Sequence, residues 1–571
     1  FQRGDIASLS DLPASPAKER LKNLPEQAQQ RALKWLQSFD FPAKDLDNIH
    51  FDNEGGVFYA DTHTIEEAPS VTDSGNAMDV PLTETFKLNS KPGSSNIIYL
   101  DFNGHTISNT GWNSGGLSRY QALPYDLDND SSSFSSAELT NIQEIWHRVA
   151  EDYAAFDVNV TTQEPVNFDA NTGRILITSN TDANGNAMPH STAGGVAYVG
   201  VFGQSYYPEY SPALVYYDNL GGGFPPYVAE AASHEMGHNL GLGHDGTSTA
   251  GYYTGHGSGY VSWAPIMGVG YYNNVTQWSK GEYDDASNQQ DDLAIIADKL
   301  GFRIDDHSGS ATPLRIETDG SIIATTPQND DPANPDNNNK GVISHSGDVD
   351  TFSFQAGVGS VTLNIEPAWA AYYRDSRRGA NLDIQAVLYG PDGSVVASSD
   401  PLDETSAQIT ANLTVDGNYM LAVMPVGNDS VAYSNYGSAG LYFISGQVTA
   451  SGSDPIYPVE IPVILNITDN GDGSAELSWI GDDNATAYDI ERQSRNKRNK
   501  WVSTTAVGTT SNTSFTDTTA GAGTFQYRVK ASNSVYESDF SAWSAAIDIT
   551  DTSGGSDSGD TSKTCKGKKC R

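Results

Sequence analysis

Residues 234–245 of this 571-residue chain read His234-Glu235-Met236-Gly237-His238-Asn239-Leu240-Gly241-Leu242-Gly243-His244-Asp245. Two histidines four residues apart lie on the same face of a helix, so the imidazoles of His234 and His238 can bind one metal ion. Gly241 is expected to take the positive φ that ends this helix, which lets His244 return as the third ligand. Three neutral imidazoles suit zinc, and an open fourth position is typical of a catalytic site.

The carboxylate of Glu235 is rotated by about 100° around the helix from His234, which places it beside the metal rather than on it. We therefore predict that Glu235 is the general base, taking a proton from zinc-bound water and passing it to the departing amine. Asp245 is predicted to hold the histidines or the nearby backbone in place from outside the metal shell. In the alternative interpretation, these histidines simply lie on the polar face of a helix. The five fixed positions of the motif would then have to coincide by chance.

At these residues the sequence resembles the metzincin zinc endopeptidases. The aspartate after the third histidine and the Asn-Leu-Gly spacing are most similar to the reprolysin (adamalysin) branch. The resemblance covers roughly residues 95–305 and implies that Met267 forms the Met-turn, an apolar floor beneath the metal. It also implies an edge strand on which protein substrates add as an antiparallel strand, formed by Gly195, Val196, Ala197 and Tyr198.

The charge balance excludes one broad class of function. With 32 basic against 72 acidic residues and a net charge of −40, the chain lacks the cations that nucleic-acid binding requires. No apolar run is long enough for a membrane span. The acidic composition suits an extracellular setting. The resemblance of a C-terminal module to a domain of secreted bacterial peptidases, described below, implies a secreted bacterial protein. Because Cys565 and Cys570 are its two cysteines, neither a disulfide framework nor a cysteine zinc site is expected, which departs from animal reprolysins.

The pattern of elements predicts a multidomain chain. Helices interleaved with strands up to about residue 310 indicate an α/β catalytic domain with a mixed twisted sheet and an active-site helix. Two all-β sandwich modules follow, and they resemble the bacterial pre-peptidase C-terminal domain, through Gly347–Phe354, and a fibronectin type III domain. The predicted boundaries are a propeptide-like leader at 1–92, the catalytic domain at 93–310, the sandwiches at 311–452 and 455–550, and a flexible linker with a basic Cys-containing tail at 551–571.

The leader looks like a propeptide, which predicts a zymogen. Residues 1–92 contain no cysteine, so the leader would block zinc with a carboxylate or by steric cover alone. The segment Phe1-Gln2-Arg3-Gly4-Asp5 echoes the aspartate switch of astacins, which makes Asp5 the candidate zinc ligand from the leader.

A second metal is suggested by carboxylates at alternate positions, Asp126, Asp128 and Asp130, which resemble the front of a structural calcium loop. Ser131 stands where the loop glycine is expected and Ala137 where a glutamate is expected, so a solvated turn is the alternative interpretation.

Together these features predict a monomeric, secreted zinc endopeptidase that cleaves extended protein substrates. Its β modules are candidates for binding an extracellular polymer, and an exposed basic loop with no ligand is the alternative interpretation. The alternative from another class is an adhesin, or a matrix- or polysaccharide-binding protein, with a vestigial peptidase domain.

Overall fold

The computed structural model describes residues 1–62, 80–324, 339–368, 370, 378–451, 459–482, 484–533 and 536–552. The tail cysteines Cys565 and Cys570 lie outside the described residues. The chain divides into two compact units, Phe1–Ser451 and Gly452–Arg571.

The leader folds as two short helices followed by a β-hairpin. Ser15 begins the first helix, because its side chain accepts a hydrogen bond from the Lys18 amide. The hairpin turn requires glycine at Gly55, where φ is +88° and an added Cβ would lie 2.2 Å from the Ala28 carbonyl oxygen. The elements are α1 (Pro16–Lys22), α2 (Glu26–Leu36), β1 (Ile49–Phe51) and β2 (Val57–Asp61).

The region that follows contains a mixed sheet with helices packed against it. Its elements are β3 (Ile97–Asp101), β4 (Thr106–Ile107), β5 (Tyr120–Gln121), α3 (Ser136–Asp152), β6 (Asn159–Thr161), β7 (Thr172–Thr178), β8 (Gly195–Tyr198), β9 (Ala213–Tyr216), α4 (Pro225–Leu240), β10 (Trp263–Pro265), β11 (Val275–Gln277) and α5 (Asp292–Leu300).

The seven-stranded sheet has the order β1-β2-β8-β9-β7-β3-β6. Strands β9, β7, β3 and β6 are parallel, whereas β8 is antiparallel to β9 and β2 is antiparallel to β8. The two leader strands therefore extend the edge of the sheet that follows them in sequence. A separate pair, β10 and β11, is parallel.

Helices α3 and α4 contribute most of the helical surface in the large core. Helix α3 begins with a capping box, in which Ser135 and Glu138 satisfy each other's backbone amides. Helix α4 has prolines in its first turn, where no intrahelical amide is needed, and all of its residues are buried. A helix buried on every side is positioned by packing all around it, which suits it to hold a site rigidly.

The rest of the first unit is a β-sandwich. Its two sheets have the orders β12-β15-β20-β17-β18 and β13-β21-β16-β19, with β14 also pairing β21. The sandwich contacts the end of α3, since the Asn381 side chain donates to Asp152 and the Leu441 amide donates to Glu151. Its strands are β12 (Thr312–Pro313), β13 (Ser321–Ile322), β14 (Lys340–Ile343), β15 (Asp350–Ala356), β16 (Gly359–Pro367), β17 (Ile384–Tyr389), β18 (Val395–Ser399), β19 (Ala407–Leu413), β20 (Gly417–Pro425) and β21 (Gly440–Val448).

The second unit is also β, with a three-stranded sheet, β22-β23-β26, and a four-stranded sheet, β25-β24-β27-β28. Trp479 and Tyr527 lie in its core. Its strands are β22 (Val463–Asp469), β23 (Ala475–Ile480), β24 (Ala487–Arg495), β25 (Trp501–Thr510), β26 (Ser514–Asp517), β27 (Gly523–Ser532) and β28 (Ile547–Ile549). Among the described residues, no helix has the length and apolar character needed to cross a membrane.

Candidate metal centre

Helix α4 presents His234 and His238 on one face, and each ring is oriented by a backbone carbonyl. The Nδ1 atom of His234 lies 2.8 Å from the Ile266 oxygen, and that of His238 lies 2.8 Å from the Leu242 oxygen. Because a carbonyl only accepts, each Nδ1 carries the proton, and each Nε2 is left with a free lone pair. Among the described residues, neither Nε2 atom has a hydrogen-bond partner.

His244 reaches the same point because the chain reverses at Gly241. That residue has φ +115°, and its amide donates to the carbonyls of Gly237 and His238 at the end of α4. All three histidine rings then lie close together, with centroids 4.8 to 5.3 Å apart. The left-handed glycine predicted from sequence thus brings the third imidazole beside the first two.

The three Nε2 atoms converge on a leader residue, Asp61, at the end of β2. Its Oδ2 atom lies 3.2 Å from Nε2 of His234 and 3.4 Å from Nε2 of His238. Its Oδ1 atom lies 3.0 Å from Nε2 of His244. All four side chains are buried, and together they form a group able to hold a metal ion.

Zinc fits this group by distance and by chemistry. Two tetrahedral ligands about 2.1 Å from zinc are separated by roughly 3.4 Å, close to the oxygen–nitrogen separations found here. The free Nε2 atoms of His234 and His238 would be left unsatisfied in the interior without an ion. Three imidazoles and one carboxylate are a donor set that zinc accepts.

Two further leader residues pack around the histidines. The ring of Tyr59 stacks on His238 at 4.2 Å between centroids, and its hydroxyl donates to Asp45 at 2.6 Å. Asp45 also accepts from the backbone amide of His244, at 3.1 Å. From outside the leader, the Tyr252 hydroxyl donates to Asp61 at 2.7 Å. The centre is therefore closed, and in the full chain the leader supplies much of its cover.

The leader strand β2 runs along the predicted edge strand. Its antiparallel register pairs Tyr59 with Ala197 and Asp61 with Gly195. Phe58 and Ala60 pair with the other two edge residues, Tyr198 and Val196. The backbone amides and carbonyls on the side of β8 that faces away from β9 therefore pair with the leader strand β2.

Glu235 lies beside the histidines and against the edge strand. It is 1% exposed, and a Cβ added at Gly195 would lie 2.0 Å from its Oε1 atom. No side chain other than hydrogen therefore fits at Gly195 while Glu235 keeps this position. The Oε2 atom of Glu235 has no hydrogen-bond partner among the described residues.

Met267 and Asp245 lie under and beside the histidines. Met267 is fully buried and packs against Gly237. A Cβ added at Gly237 would lie 2.6 Å from the Sδ atom of Met267. The backbone amide of Asp245 donates to the Met267 carbonyl at 2.8 Å. That bond ties the loop bearing the third histidine to the turn beneath the helix.

Burial and the local charges pull the titrating groups of the centre in opposite directions. Burial raises the pKa of Asp61, but the three imidazoles outweigh burial and hold that pKa well below its usual value. Burial lowers the pKa of His238 to about 4, despite the nearby Asp61. For His244 burial is outweighed by Asp45 and Asp61, which raise its pKa to about 10. Burial is the largest cause that raises the pKa of Glu235 well above its usual value, and the Asp61 carboxylate is the next.

The leader carboxylate is not the one that the sequence suggested. Asp5 is exposed, and its side chain accepts a hydrogen bond from the Gln2 amide at 2.7 Å, so it closes a local turn. Asp61 contacts the histidines instead. The choice of Asp5 as the leader's zinc ligand is therefore wrong.

The predicted calcium loop folds back on itself. Oδ1 of Asp126 accepts from the amides of Asp128 and Asp130, and Oδ1 of Asp130 accepts from Ser132. Asp126 and Asp128 approach Glu138, but Asp130 is not part of that group. Glu138 already accepts from the amides of Leu127 and Ser135. The hydrogen bonds within this loop fit the solvated turn, and calcium at Asp126, Asp128 and Asp130 stays a prediction.

Sequence reasoning missed the leader's contribution to the centre, namely Asp45, Tyr59 and Asp61, together with Tyr252. A signal for one of them was present: Asp61 ends a strand whose other residues are apolar, and a carboxylate there needs a partner. Nothing local indicated which partner, because Asp61 and His244 are 183 residues apart in sequence.

Comparison with known proteins supports a peptidase. Residues 127–245 match the family model described as metallo-peptidase family M12B, reprolysin-like, and this match supports a metallopeptidase of the metzincin type that binds zinc and acts on proteins. No curated protein matches the chain.

Among solved structures, the chain is similar to titin kinase with its flanking domains (23% identity over 16% of this chain and 17% of that chain, TM-score 0.14). It is also similar to the twitchin kinase region of C. elegans (24% identity, 17% of each chain, TM-score 0.14). A third is the fibronectin type III domain of human fibronectin type III domain containing protein 3 (18% identity, 19% of this chain and 98% of that chain, TM-score 0.15). The chain spans only 17% of the length of the two kinase structures, and these TM-scores support no argument about function.

Proposed function

We propose that this protein is a zinc endopeptidase that cleaves extended protein substrates, with Glu235 as its general base, and that its leader keeps it latent. The observation that carries the proposal is the convergence of three imidazole Nε2 atoms on one buried point, with Glu235 beside it. This is a catalytic rather than a purely structural arrangement, because the fourth donor comes from the leader and can leave with it.

When bound by His234, His238 and His244, zinc would lower the pKa of a bound water and polarise the scissile carbonyl. Once Asp61, which raises the pKa of Glu235, has left with the leader, Glu235 takes the proton of the attacking water and later donates it to the departing amine. Its buried position against Gly195 excludes bulk solvent and fixes the carboxylate toward the edge strand. Proton transfer therefore depends on a residue with little freedom to move.

Substrate is expected to bind along β8. The backbone of Gly195–Tyr198 offers amides and carbonyls to an antiparallel strand, and this mode of binding requires no particular side chain. In the full chain β2 takes this place in antiparallel register. A peptide would enter the same track once β2 has left.

The leader is proposed to inhibit in two ways. Asp61 fills the position that the attacking water needs, and β2 occupies the strand track that the substrate needs. Tyr59 and Asp45 add cover over His238 and His244. Since residues 1–92 contain no cysteine, this latency would rest on a carboxylate.

The adhesin alternative is not favoured. A vestigial centre would be expected to have lost a ligand or the base, whereas His234, Glu235, His238 and His244 are all present and close together. Secretion, a monomeric state and polymer binding by the β modules remain part of the proposal, supported by the acidic composition and by the modular β architecture.

The test of the proposed function is casein hydrolysis by the chain after its leader has been removed by limited proteolysis. A glutamyl endopeptidase is suitable, because Glu66 and Glu67 follow Asp61 and no lysine or arginine occurs between Lys44 and Lys87. We expect cleavage that 1,10-phenanthroline abolishes and added zinc restores. Cleavage that is insensitive to the chelator, or absent although the leader has gone, would contradict a zinc peptidase.

A further inference from the structure

A second group of carboxylates lies far along the chain from the histidine centre, where the segment after α5 meets the sandwich. One ligand atom each from Asp305, Asp348 and Asp350 lies within 4.8 Å of the others. Asp305 belongs to the segment that leaves α5, whereas Asp348 and Asp350 lie just before and at the start of β15. The group therefore joins two parts of the first unit.

Two of these carboxylates are buried, and each has one oxygen without a hydrogen-bond partner among the described residues. Asp348 is 2% exposed and Asp350 is fully buried. Each uses one oxygen: Oδ2 of Asp348 accepts from the Ser344 amide and hydroxyl, and Oδ2 of Asp350 accepts from the Tyr442 hydroxyl at 2.6 Å. The Oδ1 atoms of Asp348 and Asp350 have no hydrogen-bond partner among the described residues. Buried carboxylate oxygens without partners are costly and call for a cation or a proton.

The charged groups that act most strongly on Asp350 are other carboxylates. Burial is the largest cause that raises the pKa of Asp350. The nearby carboxylates of Asp306, Asp348 and Asp305 also raise it, and the pKa reaches about 9. Carboxylates this close repel one another. They stabilise the folded protein only if their charge is neutralised.

The donor set distinguishes between metals. His307 is adjacent, but its Nδ1 lies 2.8 Å from the Thr312 hydroxyl and its Nε2 lies 2.8 Å from the Lys340 carbonyl, so both ring nitrogens are used. Only oxygen donors remain, which favours a hard cation over zinc. Three carboxylates drawn from two segments suit calcium, which accepts irregular shells of six to eight oxygens at 2.3–2.6 Å, better than magnesium, which demands an octahedron.

We propose that Asp305, Asp348 and Asp350 form a calcium site that fastens the segment after α5 to the start of β15. Oxygens bound to one calcium ion are up to about 5 Å apart, which accommodates the separations found here. The ion would stabilise the first unit by holding the sandwich to the segment that follows the peptidase region. It would take no part in catalysis.

The experiment uses the full zinc-loaded chain, freed of calcium with EGTA and verified to retain zinc. Calorimetric titration with CaCl2 is expected to show binding, and millimolar calcium is expected to raise the unfolding temperature by about 5 °C or more. Magnesium should give a much smaller shift. Asp348→Asn and Asp350→Asn should each remove the calcium-dependent shift, whereas Asp126→Asn, in the other acidic loop, should keep it.

Terbium luminescence gives a second measurement that does not depend on the stability of the variants. Terbium replaces calcium in oxygen sites, and excitation of Tyr442 beside Asp350 should sensitise its emission, which calcium should then quench. Three results would overturn the proposal: no calcium binding by the intact chain, a shift abolished by Asp126→Asn but kept in Asp350→Asn, or binding of zinc in preference to calcium at these residues.

Discussion

The Glu235→Gln variant, with its leader removed, is expected to lose about 10²- to 10⁴-fold in kcat/KM on a peptide substrate while still binding zinc. Glutamine keeps the size and the packing against Gly195, but it cannot accept the proton of the attacking water. The loss should fall on kcat rather than KM, because the backbone of β8, and not Glu235, binds the substrate. The measurement is steady-state kinetics on a quenched peptide, with zinc content determined for each preparation.

The matched control is Glu230→Gln, which makes the same change five residues earlier on α4. Glu230 is also buried, but its Oε1 atom accepts from the Thr276 hydroxyl at 2.8 Å, away from the histidines. It should retain near wild-type activity. If Glu235→Gln is as active as this control at equal zinc content, another group is the base and the mechanism is wrong.

The Asp61→Ala variant should make the unprocessed chain active. We expect its hydrolysis of a short peptide to exceed that of the unprocessed wild type at least tenfold, because the fourth ligand position is then free for water. Full activity is not expected, since β2 still pairs with β8 and the Tyr59 ring still covers His238. The measurement is the initial rate before any leader cleavage is visible on a gel.

Asp5→Ala is the control, because it removes a leader carboxylate that lies away from the histidines. It should stay as inactive as the wild type, and all three proteins should have similar rates after the leader has been removed. Equal rates for Asp61→Ala and unprocessed wild type would indicate that latency comes from steric cover alone, and an active Asp5→Ala would indicate that the wrong carboxylate has been chosen.

The part of the centre that sequence could predict is the part that is local. The turn at Gly241 and the positions of His234 and His238 follow from the geometry of one helix and its end, so spacing alone sufficed. Asp61 belongs to a strand far away in the chain. Its position depends on the register of β2 against β8, and a short leader hairpin does not specify which sheet edge it will pair with.

In the fold, too, local features could be predicted from sequence and long-range pairing could not. The interleaved helices and strands up to about residue 310, and the β modules beyond it, could be predicted because the signals for single elements act within a few residues. The leader was expected to be a separate small domain, yet β1 and β2 extend the sheet that contains β8. Exposed edge strands favour such pairing, and sequence does not reveal whether an edge is left free.

The central claim is that three histidines bind zinc and that Asp61 closes the shell in the latent chain. X-ray absorption at the zinc edge of the unprocessed protein tests this most directly, compared with the Asp61→Ala variant. We expect one zinc per chain with three imidazole nitrogens and one carboxylate oxygen, and replacement of the carboxylate by water in the variant. Identical spectra for the two proteins, or a zinc shell with fewer than three imidazoles, would contradict it.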